Sequence, residues 1–237
     1  MKGKKNKKKE EIGHWREAEN YENLEIAEND ESLEDKQIVI INNIEPPASG
    51  SPLVRSVALY GDLTEEGASD IVQSLFFLRD HAHPPPPEED EESLKEEKDR
   101  KTIDFLISTR GGVAAEMFAV YDAMNMIKKN CDISTIGMGK VMSAGVLLLA
   151  SGTKGKRKIS ANCRVMIHSV NGGYNGSLLN MENEISEVRW IQHQYVKTLA
   201  AETKMSEKKI RRFLKKHVDV YLSAKEAVKH GIADEVI

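Results

Sequence analysis

Hydrophobic positions change period repeatedly along the chain, and each change marks an element boundary. Val57 to Tyr60 forms a short apolar run closed by Gly61, and Thr64 to Leu78 then carries a helical pattern. Ile103-Asp104-Phe105-Leu106-Ile107 reads as a buried strand that stops at Ser108-Thr109-Arg110-Gly111-Gly112. Met117, Val120, Met124 and Ile127 recur at helical spacing, so Ala114 to Lys128 is predicted as an amphipathic helix. Asp132 to Ile136 is the next predicted strand. After Gly137-Met138-Gly139 an apolar helix begins near Ser143, and Arg164 to Ile167 returns to strand. A long helix from about Leu178 to Ala201 and a shorter one from Ser206 to Lys215 follow. Ser223 can cap a last helix that stops at Gly231. Strand alternating with helix predicts an α/β fold of parallel βαβ units with right-handed crossovers.

Composition narrows the class. Of 237 residues 40% are hydrophobic and 30% charged, with a formal net charge of −4. The apolar share excludes a wholly disordered chain and the charged share an integral membrane protein. The longest nearly unbroken apolar run, Ala144 to Ala150, falls far short of the ~20 residues a bilayer requires. The charge is segregated: Met1 to Lys9 carries +6, Glu10 to Asp35 −10, and Glu88 to Lys101 −4, which leaves +4 for the rest. The last block follows Pro84-Pro85-Pro86-Pro87. Like-charge blocks and polyproline bury too little apolar area to offset ordering entropy. Residues 1–55 are therefore read as a charged, largely flexible extension. Residues 56–237 form the domain, with an acidic proline-rich surface insertion at about 81–101. Acids directly behind the N-terminal lysines compete for them, so neither a nucleic-acid nor a membrane partner is expected. No apolar stretch follows those lysines, so a secretory signal is not expected either. Cys131 and Cys163 stand at no metal-ligand spacing, which points to buried free thiols, no metal and a reducing, cytoplasmic compartment.

Candidate chemistry gathers where parallel strands end. Gly111-Gly112 follows one predicted strand, Met142-Ser143-Ala144-Gly145 follows the next after a short turn, and His168 closes the third. A serine hydroxyl needs a base to become a nucleophile, and neutral imidazole suits that task. A carboxylate behind the imidazole fixes its tautomer, and two backbone N–H groups must face the developing oxyanion. The residue after a serine at a helix start, here Ala144, supplies one N–H. A glycine turn, here Gly112, supplies the other. Each feature alone also fits ordinary packing; their joint order favours acyl transfer. Which acid would orient His168 stays open between Asp219, Glu226, Asp234 and others.

Several segments together resemble the proteolytic subunit of the Clp protease, ClpP. They are Gly112 onward, Met138-Gly139 before Met142-Ser143-Ala144-Gly145, Leu147 to Arg157, and Arg164 to His168. Gly172-Gly173-Tyr174-Asn175-Gly176 and Asp219 to Ala227 continue the match in order. The resemblance runs from about Val57 to the C-terminus, interrupted by the acidic insertion. It implies a ClpP/crotonase-type spiral of βαβ units with a protruding handle helix at Leu178 to Ala201. It also implies a serine endopeptidase with Ser143 as nucleophile, His168 as base, Asp219 orienting it, and Gly112 and Ala144 as the oxyanion hole. Gly172, Gly173, Tyr174, Asn175 and Gly176 would begin the strand that aligns an extended peptide by main-chain hydrogen bonds. Stacked heptameric rings fed by an ATP-driven AAA+ Clp unfoldase are the implied assembly, acting on peptides or unfolded protein. The chain carries no Walker-type loop, so no cofactor of its own is expected.

The chain departs from the family's pattern at identifiable positions. Arg110 replaces the usual proline before the glycine pair, Glu116 and Met117 stand where a small residue and glycine are common, and Val218 replaces an arginine. Residues 1–55 hold no clear counterpart of the family's axial loop. Other readings are an idle ring subunit beside an active paralogue, a crotonase-type acyl-CoA enzyme, and limited processing of one dedicated substrate.

Overall fold

The computed structural model describes residues 55–81, 102–215 and 218–237. The readings for residues 1–54 and for 82–101 of the insertion lie outside the described residues. Three parallel strands pair in sequence order to begin the sheet: β1 (Ser56–Tyr60), β2 (Ile103–Thr109) and β3 (Ile133–Met142). In β2 the side chains of Ile103, Phe105, Ile107 and Thr109 are buried and Asp104 is exposed, the period-two pattern of a strand covered mainly on one face. Helix α1 (Glu65–Asp80) starts where the Thr64 hydroxyl accepts the N–H of Gly67 at 3.2 Å, with Glu65 and Glu66 favourably placed in its first turn. It buries Ile71, Leu75 and Leu78 and packs against α2 (Ala114–Ile127), which buries Met117, Val120, Met124 and Ile127 as the spacing predicted.

β3 is longer than its predicted strand. The sequence reading ends it at Ile136 because Gly137-Met138-Gly139 looks like a turn. Instead Gly139 takes φ +62° and the register against β2 slips, Ile107 facing Gly137 but Thr109 facing Val141. The glycine bends the strand without stopping it. The bend divides its outer edge: Thr135 to Gly137 pair with β4 (Arg157–Ile159), while Lys140 to Met142 pair with β5 (Arg164–Ile167). β5 pairs in turn with β6 (Val220–Leu222), antiparallel, and β4 with β7 (Glu235–Val236), parallel. β4, β6 and β7 have no periodic signature, being two or three residues long. The sheet is thus mostly parallel, as the alternation of strand and helix predicts, with β5–β6 the antiparallel pair among the described strands.

Between β3 and β4 runs α3 (Ala144–Ala150), buried along its whole length beneath β3. The C-terminal part follows as α4 (Leu178–Glu202), α5 (Glu207–Leu214) and α6 (Ala224–His230). Only the second half of α4 enters the core, through Tyr195, Val196 and Leu199; residues 178–187 are all exposed, Leu178, Leu179 and Ile185 among them. α6 has the expected ends. Ser223 accepts from the Glu226 N–H at 3.3 Å and donates its own N–H to Glu226 Oε2 at 2.8 Å, and Gly231 closes the helix at φ 73°. Cys131 and Cys163 are buried and free, and burial pushes the Cys163 thiol up to about 11. Among the described residues no helix is long and apolar enough to cross a membrane.

Arg157 joins the outer elements. Its Nη1 faces the carbonyls of Ala150, Glu202 and Gly231 at 3.0, 2.9 and 2.8 Å, which lie at the C-terminal ends of α3, α4 and α6. Those ends carry partial negative charge that a buried guanidinium offsets. Its Nε and Nη2 hold Asp234 at 2.9 and 2.5 Å. Burial raises the Asp234 pKa, but hydrogen bonds and charge from Arg157 outweigh it and hold the carboxyl below the usual carboxylate range. The native value therefore lies below the unfolded one, and the pair's contribution is complete above an unfolded value of about 4. It disappears as pH falls through the native value. Asp234→Asn is expected to lose about 2–4 kcal/mol at pH 7, since Arg157 stays buried without its partner. Urea unfolding at pH 7 and in stronger acid checks this: the gap between variant and wild type should shrink in acid, and a constant gap contradicts the assignment.

Candidate active site

The glycine turn after β2 is a bulge. Tyr60 pairs with Ser108 and Leu63 with Gly112, so residues 109–111 stand opposite only 61 and 62. Buried Thr109 holds it from inside, its hydroxyl accepting the Gly111 N–H at 2.9 Å and facing the Gly111 carbonyl at 3.2 Å. Gly111 and Gly112 have φ +117° and +153°. A Cβ on Gly112 would meet the Leu63 carbonyl oxygen at 2.1 Å, and one on Gly111 would meet Ser143 Cβ at 2.6 Å. Both positions exclude a side chain. The Leu63 N–H donates to the Gly111 carbonyl at 2.7 Å and the Val113 N–H donates to the Leu63 carbonyl at 3.0 Å. Those groups share one edge of the extended segment, so the Gly112 N–H faces the other edge.

Ser143 stands across from this bulge, between β3 and α3. It has φ 53° and ψ −118°, and among the described residues no other non-glycine residue has a positive φ. Such a conformation costs about 1–3 kcal/mol and persists only where its surroundings enforce it. Here the Ser143 N–H donates to the Met166 carbonyl at 2.9 Å, and the Val146 N–H donates to the Ser143 carbonyl at 3.0 Å. The Tyr195 hydroxyl donates to the same carbonyl at 3.3 Å, and burial drives its pKa up, so it stays protonated as the donor. Ala144 follows in the first turn of α3, where the N–H groups have no intrahelical acceptor.

His168 follows β5 directly. The β5–β6 ladder ends at the Ile167–Val220 pair, so His168 and Asp219 are the next residue beyond it on each strand. Ser143 and His168 line one cleft of about 510 Å³, together with Asp62, Arg110, Gly111, Gly112, Val113, Ala114, Met117, Ala144, Ser169, Val170, Asn171, Ile191 and Tyr195. The fold thus gathers four residues named from sequence, Gly112, Ser143, Ala144 and His168. Asp219 is exposed and outside the cleft wall. Among the described residues no hydrogen bond links Ser143 Oγ, His168 and Asp219. Among them there is also no group of three or more His, Cys, Asp and Glu side chains suited to a metal ion.

Gly172 to Gly176 stand outside the cleft wall, exposed and irregular, so the expected strand is absent from this isolated chain. Glycine and asparagine have little tendency to remain extended without a neighbouring strand. Within the segment Tyr174 folds over Gly176, where a Cβ would lie 2.4 Å from the ring. The cleft is instead closed on that side by Ser169 to Asn171. Sequence reasoning missed Asp62, Met117 and Tyr195 as parts of the site. Tyr195 shares a helical face with Ile191 and Leu199, which was its only legible signal, and it reads as core.

The family model of the Clp protease matches residues 92–237, more than half of the chain. The match holds β2 and every later element, with Gly112, Ser143, His168 and Asp219 inside it. β1 and α1 precede it yet complete the same sheet through the β1–β2 pairing. A mostly parallel sheet with helices, ending its strands at a serine turn, a glycine bulge and a histidine, agrees with that match. The chain belongs to the Clp protease family, whose members are serine peptidases.

Proposed function

We propose that this protein is a ClpP-type serine endopeptidase in which Ser143 attacks the scissile carbonyl. The observation that carries the reading is the strained Ser143 turn, wedged against Gly111 in the cleft that also holds His168. His168 takes the hydroxyl proton as Ser143 Oγ bonds to the carbonyl carbon, and Asp219 orients and stabilises the imidazolium. The tetrahedral oxyanion accepts hydrogen bonds from the N–H groups of Gly112 and Ala144. His168 returns the proton to the leaving amine, and water then releases the acyl group from Ser143 by the same steps in reverse order. No cofactor enters. Val113, Met117, Val170 and Ile191 offer apolar wall to a substrate side chain.

The missing hydrogen bonds among the three side chains fit a site that tightens around substrate or on assembly, as apo catalytic sites often do. Exposed Leu178, Leu179, Ile185 and Trp190 on α4 favour burial against another subunit, in keeping with stacked rings. In that assembly Gly172 to Gly176 gain the strand neighbour they lack and align an extended peptide. An unfoldase partner would supply the ATP-driven step, and containment keeps an unselective peptidase from folded proteins.

Ser143→Ala should lower peptide hydrolysis by roughly 10³-fold or more with the native mass unchanged. Hydrolysis that survives the substitution removes Ser143 from the mechanism, and thioester turnover that survives it favours a crotonase-type enzyme. Gly111→Ala should lower kcat/KM by roughly 10²-fold, because the new methyl group displaces Ser143 and with it the Ala144 N–H. Circular dichroism should report an unchanged helix content for that variant, and an unchanged kcat/KM contradicts the wedge.

A further inference from the structure

Resting on the peptidase reading above, we propose that Arg110 is a specificity residue that binds a substrate carboxylate beside the scissile bond. It occupies the bulge at 109–111, next to the Gly111-Gly112 turn, and lines the same cleft as Ser143 and His168. A bulge re-aims the side chain it carries, and this one is exposed to the cleft solvent. Arg110 has no ion pair or hydrogen bond among the described residues. The structural roles of guanidinium groups in this fold fall to others: Arg157 joins three helix ends, and Arg55 donates to the Leu78 and His81 carbonyls at 2.6 and 3.2 Å. Arg110 makes no such contact, and its planar fork of donors is matched to a carboxylate.

The charges around it define what it reads. Among the described residues Asp62 is the only acid in the cleft wall, it forms no ion pair with Arg110, and it stands on the opposing strand of the bulge. The rim therefore carries one separated charge of each sign above a wall of Val113, Met117 and Ile191. An extended peptide lying across that rim meets a cation at one residue and an anion at another. A carboxylate near Arg110 is attracted while one near Asp62 is repelled, so the preference depends on position along the peptide and not on net charge. The carboxylate has two sources, an Asp or Glu side chain or the free C-terminus of a peptide.

Internally quenched peptides, amidated at the C-terminus, with one Glu moved through the positions on each side of the scissile bond, test the first source. The same peptides with Gln throughout and a free C-terminus test the second. One arm should show kcat/KM about tenfold above its neutral, amidated control at low salt, and the advantage should fade as ionic strength rises. Arg110→Ala should bring that ratio to about one, Arg110→Lys should keep part of it, and Arg110→Glu should transfer the preference to Lys-containing peptides. A ratio near one in the wild type for both arms, or a ratio that survives Arg110→Ala, overturns the proposal. Fluorescence anisotropy with Ser143→Ala protein separates this outcome from failure of the peptidase reading. The favoured acidic peptide should bind that protein about tenfold more tightly than its neutral control, and adding Arg110→Ala should remove the difference. Equal binding of acidic and neutral peptides overturns the carboxylate role even if no hydrolysis is ever seen.

Discussion

Contact between Gly111 and Ser143 is the constraint on which the site depends. A serine with positive φ is costly, and it is held here from both ends, by the Met166 carbonyl on its N–H and by Val146 and Tyr195 on its carbonyl. Those contacts fix the backbone, and the absence of a side chain on Gly111 leaves the room that Ser143 Cβ and Oγ occupy. Gly145 extends the same requirement to the second residue of α3, where a Cβ would lie 2.4 Å from Thr109 Cγ2. Thr109 itself pins Gly111. Strand β2, the bulge after it and the start of α3 are thus one interlocked unit, and displacing any member moves the hydroxyl.

The forked strand β3 puts that unit where a histidine can meet it. Its first half pairs with β4, its second half with β5, and Gly139 makes the division possible. Because β5 pairs with the end of β3, His168 leaves the sheet beside Ser143. Because β6 runs antiparallel to β5, a residue distant in sequence, Asp219, lies at the same end of the ladder as His168. Arg157 supports this arrangement from the far side by holding the ends of α3, α4 and α6 together. The catalytic reading and the stability of the fold therefore share elements while using different side chains.

Much of this was legible in the residues. Long periodic segments gave α1, α2 and α4 nearly to their ends, and Ser223 and Gly231 marked α6 through capping chemistry alone. The order of glycine turn, serine and histidine at strand ends pointed to acyl transfer before any geometry. What stayed hidden depended on tertiary contacts. Two- and three-residue strands such as β6 and β7 exist only because neighbours pair with them, so no local pattern announces them. The turn reading of Gly137 to Gly139 failed because a strand with partners on both sides can absorb a left-handed glycine. Tyr195 was hidden because a buried tyrosine on an apolar helix face looks like core until its hydroxyl is traced to the Ser143 carbonyl. The acid behind His168 could not be chosen from the residues alone, since Asp219, Glu226 and Asp234 are separated by register and not by composition. Glu226 is held in the α6 cap and Asp234 by Arg157, contacts that only the folded chain reveals.

The central claim, that the strained turn at Ser143 presents an activated nucleophile, is tested most directly by adduct mapping. The assembled protein would be treated with a fluorophosphonate, digested and examined by mass spectrometry. The account predicts one stoichiometric adduct per chain, on Ser143, lost when His168 is replaced by Ala. An assembled protein that takes no adduct, or takes it on another residue, would contradict it.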